Sequence, residues 1–124
     1  MKILIVDDDR DLLRLAEAIL RAGGHAVVKA VDASQVLPSA QREKPDLILL
    51  DINMPGGSGS DLLAKLKRSS LTSNIQVIVV SGETDARVRQ HVKQAGAEGF
   101  LAKPWVAETF IQDLQALSPH LPWQ

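Results

Sequence analysis

Three apolar runs interrupt the chain without alternating with polar residues: Ile3-Leu4-Ile5-Val6, Leu47-Ile48-Leu49-Leu50 and Val77-Ile78-Val79-Val80. A strand wet on one face alternates, whereas a run apolar on both faces suits a strand covered on both sides of a parallel sheet. Ala26-Val27-Val28 and Gly99-Phe100-Leu101-Ala102 are weaker strand candidates. Helical spacing fills the intervals. Residues 10–22 put Leu12, Leu13, Ala16, Ile19 and Leu20 on one face, with Asp9 as a natural cap and Gly23-Gly24 as the stop. Residues 59–69 repeat the pattern with Leu62, Leu63 and Leu66, and residues 85–95 with Val88, Val92 and Ala95. Residues 105–117 repeat it with Val106, Phe110, Leu114 and Leu117. The stretch 34–43 is the poorest helix. Ser34 is its candidate cap, and Pro38 removes a backbone donor, so a short or kinked helix is expected.

Strand then helix, five times over, predicts an α/β fold with right-handed crossovers and a parallel sheet. The two weakest strands, the second and fifth, fall at the edges if the order is 2-1-3-4-5. That is the flavodoxin-like, doubly wound arrangement of five strands and five helices. No Pro/Gly/Ser linker divides the chain. The expected organisation is one domain over residues 1–118, with 119–124 as a tail or the start of a linker. Trp123 in that tail is expected to be exposed or to serve a contact outside this segment.

Composition narrows the function classes. The 124 residues suffice for one core, and 45% apolar with 23% charged residues is an ordinary globular mix. A net charge of -1 gives no electrostatic footprint for nucleic acid or an anionic membrane. The absence of cysteine excludes disulfides and thiolate metal sites. No apolar run approaches the roughly 18 residues of a membrane helix, and Met1-Lys2 leads straight into the first strand without a signal-like region. A cytoplasmic location is expected.

The chemistry gathers at the strand ends, where ligands bind in open α/β sheets. The first strand ends in Asp7-Asp8-Asp9, the third in Asp51-Ile52-Asn53, the fourth in Ser81-Gly82-Glu83 and the fifth in Lys103-Pro104. The central strands thus converge carboxylates, a hydroxyl and an ammonium on one crevice. Clustered carboxylates repel, and a hard divalent cation with oxygen ligands is the natural compensation. Such an ion, together with Lys103, also neutralises an incoming phosphoryl group, and Ser81 can donate to one of its oxygens. Asp9 is assigned to capping alone. His25, His91 and His120 share no ligand spacing. Arg87, Arg89, His91 and Lys93 read as a solvated helix face.

The segments Val6-Asp7-Asp8-Asp9, Leu50-Asp51-Ile52-Asn53-Met54-Pro55, Val80-Ser81-Gly82 and Ala102-Lys103-Pro104 together resemble the signature of bacterial response-regulator receiver domains, over essentially the whole chain to about Leu117. The resemblance implies that Asp51 is the phosphoacceptor. Asp7, Asp8, Asp51 and the backbone carbonyl of Asn53 would hold Mg²⁺ or Mn²⁺. Lys103, before an often cis-linked Pro104, would sense the phosphate. Ser81 and Phe100 would be the switch pair, acting on the face built from helix 4, strand 5 and helix 5. Asn53 and Glu83 would tune how fast water removes the phosphoryl group.

The implied partners are a histidine kinase or histidine phosphotransfer protein as donor and a downstream protein or effector domain as target. The switch face is also a candidate for homodimer contact. The domain is not expected to turn over external substrates. Two departures stand out: the loop after Pro55 reads Gly56-Gly57-Ser58-Gly59, which should make it more mobile, and Pro38 is unusual in the second helix. Two other readings are open. A pseudo-receiver binding module usually lacks one of the acids or the lysine, and none is missing here. A haloacid-dehalogenase-like phosphatase wants a second Asp where Asn53 stands.

Overall fold

The apolar runs become the central strands of a single parallel sheet in a computed structural model that describes residues 1–54, 59–82 and 86–123. The elements run β1 (Lys2–Val6), α1 (Arg10–Ala22), β2 (Ala26–Ala30), α2 (Ala33–Glu43), β3 (Leu47–Asp51), α3 (Gly59–Arg68), β4 (Gln76–Ser81), α4 (Ala86–Gln94), β5 (Gly99–Ala102) and, after a 3-10 turn at Ala107–Thr109, α5 (Phe110–Leu117). The order across the sheet is β2-β1-β3-β4-β5, all pairs parallel, so the flavodoxin-like expectation holds.

The unbroken apolar runs are explained by two cores. Leu4, Val6, Ile48, Leu50, Val77 and Val79 point to one side, where α2, α3 and α4 supply Val36, Ala40, Leu62, Leu63, Leu66 and Val92. Their neighbours Ile3, Ile5, Leu47, Leu49, Ile78 and Val80 point to the other, against Leu13, Ala16 and Leu20 of α1 and Phe110 and Leu114 of α5. Alternation is present, but both faces are dry, so both sets must be apolar.

Three details differ from expectation. Helix α2 is capped by Asp32, whose carboxylate accepts the Ser34 N–H at 2.7 Å, and it runs through Pro38 to Glu43. Buried Val36, Ser39 and Ala40 hold the helix to the sheet and offset the backbone bond that Pro38 cannot donate. Helix α5 starts at Phe110 rather than 105. Trp105 stacks on the Phe110 ring with centroids 4.0 Å apart, and Val106 is extended (φ -97°, ψ 124°). Trp123 is buried, not exposed. Its indole N–H donates to the Ser118 carbonyl at 2.7 Å and its ring meets the buried His25 edge-on at 5.7 Å. No helix among the described residues is long and apolar enough to cross a membrane.

Candidate functional site

Each central strand delivers its last residue, or the one after it, to a single crevice. Asp7 follows β1. Its N–H still pairs with the Ala30 carbonyl of β2 at 3.1 Å, so the sheet fixes its backbone one residue beyond the strand. Its Oδ1 accepts the Asp9 N–H at 3.0 Å, and Asp9 in turn caps α1 by accepting from Asp11 and Leu12. This leaves Asp8 exposed at the rim, consistent with the separation of Asp9 as a cap from the other two acids. Asp51 closes β3, and its Oδ1 accepts the Asn53 N–H at 2.9 Å.

Lys103 reaches the same place from β5. Its own N–H donates to the Ser81 carbonyl at 2.8 Å, continuing the β4–β5 pairing, and the following peptide to Pro104 is cis. The Lys103 ammonium donates to Asp7 Oδ2 at 2.7 Å and to Asp51 Oδ2 at 3.0 Å. Two carboxylates, each only 4% exposed, therefore share one cation. Burial pushes the Asp51 carboxyl above its ordinary value, opposed by the Asn53 N–H and Lys103 and helped by the charge of Asp7. Burial lowers the affinity of Lys103 for its proton, but the bonds to Asp7 and Asp51 outweigh that and leave its pKa raised, so the ammonium stays charged.

Carboxylate oxygens of Asp7, Asp8 and Asp51 all lie within 4.8 Å of one another. That donor set, all oxygen and with three negative charges against one ammonium, fits a hard divalent ion that retains waters. Ser81, completely buried at the end of β4, accepts a hydrogen bond at its Oγ from the Asn53 side-chain amide at 2.9 Å. Phe100 lies half-buried on β5 with the Arg89 guanidinium 5.0 Å above its ring. Glu83 and the loop at Pro55, Gly56, Gly57 and Ser58 lie outside the described residues.

Asp7, Asp8, Asp51, Lys103, Asn53 and Ser81 are thus brought together, while Phe100 sits apart on β5, toward α4. Two features had no reading in the sequence, and a third had only that of a solvated face. The Asn53 side chain bonds Ser81, and Arg89, expected to be merely solvated, covers Phe100. A cleft of about 450 Å³ beside Lys103 is lined by Asp9, Leu12, Gly82, Pro104 and Trp105. The only local signal for the cleft was an apolar Pro-Trp pair directly after a site lysine.

Acids from two adjacent strands and a lysine that follows an edge strand thus meet at one end of an open parallel sheet. Residues 3–115 match the response regulator receiver domain family, and the chain belongs to that family. Protein PilH of Pseudomonas aeruginosa is 35% identical over 116 residues, covering 94% of this chain and 96% of PilH. Transcriptional regulatory protein PrrA of Mycobacterium tuberculosis is 36% identical over 116 residues, but the chain spans only 49% of PrrA's length. The chain likewise spans about half the length of other curated relatives, such as phosphate regulon transcriptional regulatory protein PhoB of Escherichia coli, of which it covers 51%. Among solved structures, chemotaxis protein CheY4 of Vibrio cholerae superposes with a TM-score of 0.87 at 30% identity, covering 94% of this chain and 97% of that one. Receiver domains belong to two-component systems, interact with histidine kinases and effectors, and generally bind Mg²⁺ at an acidic pocket; Asp7, Asp8 and Asp51 form an acidic cluster here.

Proposed function

We propose that this receiver takes a phosphoryl group onto Asp51 from a phosphohistidine and uses the modification to alter the face formed by α4, β5 and α5. The observation that carries the proposal is the Lys103 ammonium held between Asp7 and Asp51. A carboxylate oxygen of Asp51 attacks phosphorus. The new P–O bond forms as the donor's N–P bond breaks, and the electron pair of that bond leaves on the imidazole nitrogen. Two anions are being joined, so positioning and charge neutralisation decide the rate.

Mg²⁺ or Mn²⁺ held by Asp7, Asp8, Asp51 and the Asn53 carbonyl would supply neutralisation of the phosphoryl oxygens. Lys103 supplies the protein's own positive charge, and its raised pKa keeps that charge in place. Ser81 donates to a phosphoryl oxygen once the group is in place, and Phe100 responds on β5. Asn53, with Glu83, sets how readily water reaches the phosphorus. The cleft by Gly82, Pro104 and Trp105 gives the donor side chain a partly apolar approach to Asp51. The donor is a histidine kinase or a histidine phosphotransfer protein, and the output is a downstream protein, an effector domain or a second copy docked on the α4/β5/α5 face. The reaction is one phosphorylation and its hydrolysis on the domain itself, in the cytoplasm, without turnover of external substrates.

The test is incubation with Mg²⁺ and acetyl phosphate followed by hydroxylamine. A hydroxylamine-labile adduct mapped to Asp51 is expected, absent without divalent metal and absent in Asp51→Asn. Labelling at another residue, or none with Mg²⁺ present, contradicts the proposal.

A further inference from the structure

We infer that the Asn53 side chain is a brake on Ser81, tethering its hydroxyl away from the acceptor until a phosphoryl group draws it off. The inference rests on the function proposed above, and it assigns to the Asn53 amide a positioning role distinct from metal binding through the carbonyl. Asn53 touches both partners of the switch. Its backbone N–H donates to Asp51 Oδ1 at 2.9 Å, and its side-chain amide donates to Ser81 Oγ at 2.9 Å. Occupation of Asp51 is therefore felt by the same residue that holds Ser81.

Asn53 is exposed, whereas Asp51 and Ser81 are buried, so the bond ties a buried hydroxyl to a residue at the surface. Moving the Ser81 oxygen onto a phosphoryl group at Asp51 then stretches or breaks that bond, or carries the amide with it. The freed amide is then solvated, so the loss is the modest net value of one hydrogen bond rather than the penalty for an orphaned buried donor. The brake therefore shifts the equilibrium between inactive and active conformations by a few fold, which tunes a switch without blocking it.

The experiment titrates beryllofluoride, a phosphoryl mimic, against the protein at fixed Mg²⁺. The readout is the fluorescence of Trp105, which lines the cleft beside Lys103. Wild type, Asn53→Ala, Ser81→Ala and the double variant are compared. A net bond of about 1 kcal/mol corresponds to about fivefold in affinity. Asn53→Ala should therefore lower the half-saturating concentration about fivefold when Ser81 is present and leave it unchanged when Ser81 is alanine. Asn53→Leu should behave like Asn53→Ala. Unchanged or weakened binding in the Ser81 background, or equal tightening in both backgrounds, overturns the brake.

A measurement on the unsubstituted protein tests the same point without any Asn53 variant. The Asn53 side-chain amide protons should exchange more slowly than those of other exposed amides and lose that protection in Ser81→Ala. Protection that does not depend on Ser81 overturns the proposal. If wild type shows no Mg²⁺-dependent response to beryllofluoride, the proposed function falls. If wild type responds and the Asn53 variants do not differ from it, only the brake falls.

Discussion

Lys103 is the single described side chain that donates to both buried acids of the site, at 2.7 Å to Asp7 and 3.0 Å to Asp51. It therefore does two jobs that pull against each other. It stabilises the fold by pairing with both acids, and under the proposed function it would compete with a metal ion for the same oxygens. Lys103→Met should lower stability by about 1–3 kcal/mol in urea, less than a fully buried pair would lose because the lysine is partly exposed. The same variant should gain more stability from Mg²⁺ than wild type does, since the ion becomes the only counter-charge; a smaller gain contradicts the competition. Asp51 has the opposite sign. Burial raises its pKa, so its ionised form opposes folding, fully so above the raised folded value and not at all once the pH is below its unfolded value. Asp51→Asn should raise the urea midpoint at pH 7 and lose that advantage below the ordinary carboxylate range. At this scale the sequence indicated which strand ends meet, because strand-end position follows from the apolar runs. It could not indicate that the Asn53 amide points to Ser81, since a side-chain rotamer two residues past a strand leaves no periodic trace.

At the scale of elements, the sheet was legible because its three inner strands are apolar on both faces, a pattern that few other structures need. Helix ends were less so. Residues 105–106 satisfy the α5 periodicity but remain outside the helix, where Trp105 stacks on Phe110. Ser34 and Asp32 are both plausible caps for α2, and only the extended backbone at Asp32 decides between them. Helix α3 shows how an element is tied to the site. A Cβ added at Gly59 would lie 2.3 Å from the Ile52 Cα, so the helix start packs directly on the backbone between Asp51 and Asn53. Gly59→Ala must push that backbone aside and should cost about 1–3 kcal/mol by urea denaturation. The same shift should weaken Mg²⁺ binding measured by calorimetry. Unchanged stability and unchanged affinity together would show that the contact relaxes freely.

Over the whole molecule, the site occupies one end of the sheet and a strap of chain closes the other. Trp123, Leu121 and Met1 pack with the α1/α5 core, and His25 sits beneath Trp123 within 3.2 Å of the terminal amine. Local pattern could not show this, because Pro119 and Pro122 read as a linker and the burial is purely tertiary. Burial, and then the nearby ammonium, lowers the His25 pKa. Its neutral form is thus favoured in the fold. That contribution is complete above the unfolded value near 6.5 and is lost as pH falls through the lower folded value. Stability should therefore drop between neutral and mildly acidic pH, and His25→Gln should flatten that slope; an equal slope in both proteins would remove His25 from the account.

The claim beneath the whole account is that Asp7, Asp8, Asp51 and Lys103 form one phosphoryl-accepting centre. Phosphorus NMR of the protein with Mg²⁺ and phosphoramidate tests it most directly. One acyl-phosphate resonance is expected, which vanishes on chelation of the metal and never forms in Asp51→Asn. A phosphoprotein signal that persists in Asp51→Asn, or silence in wild type with Mg²⁺ present, contradicts it.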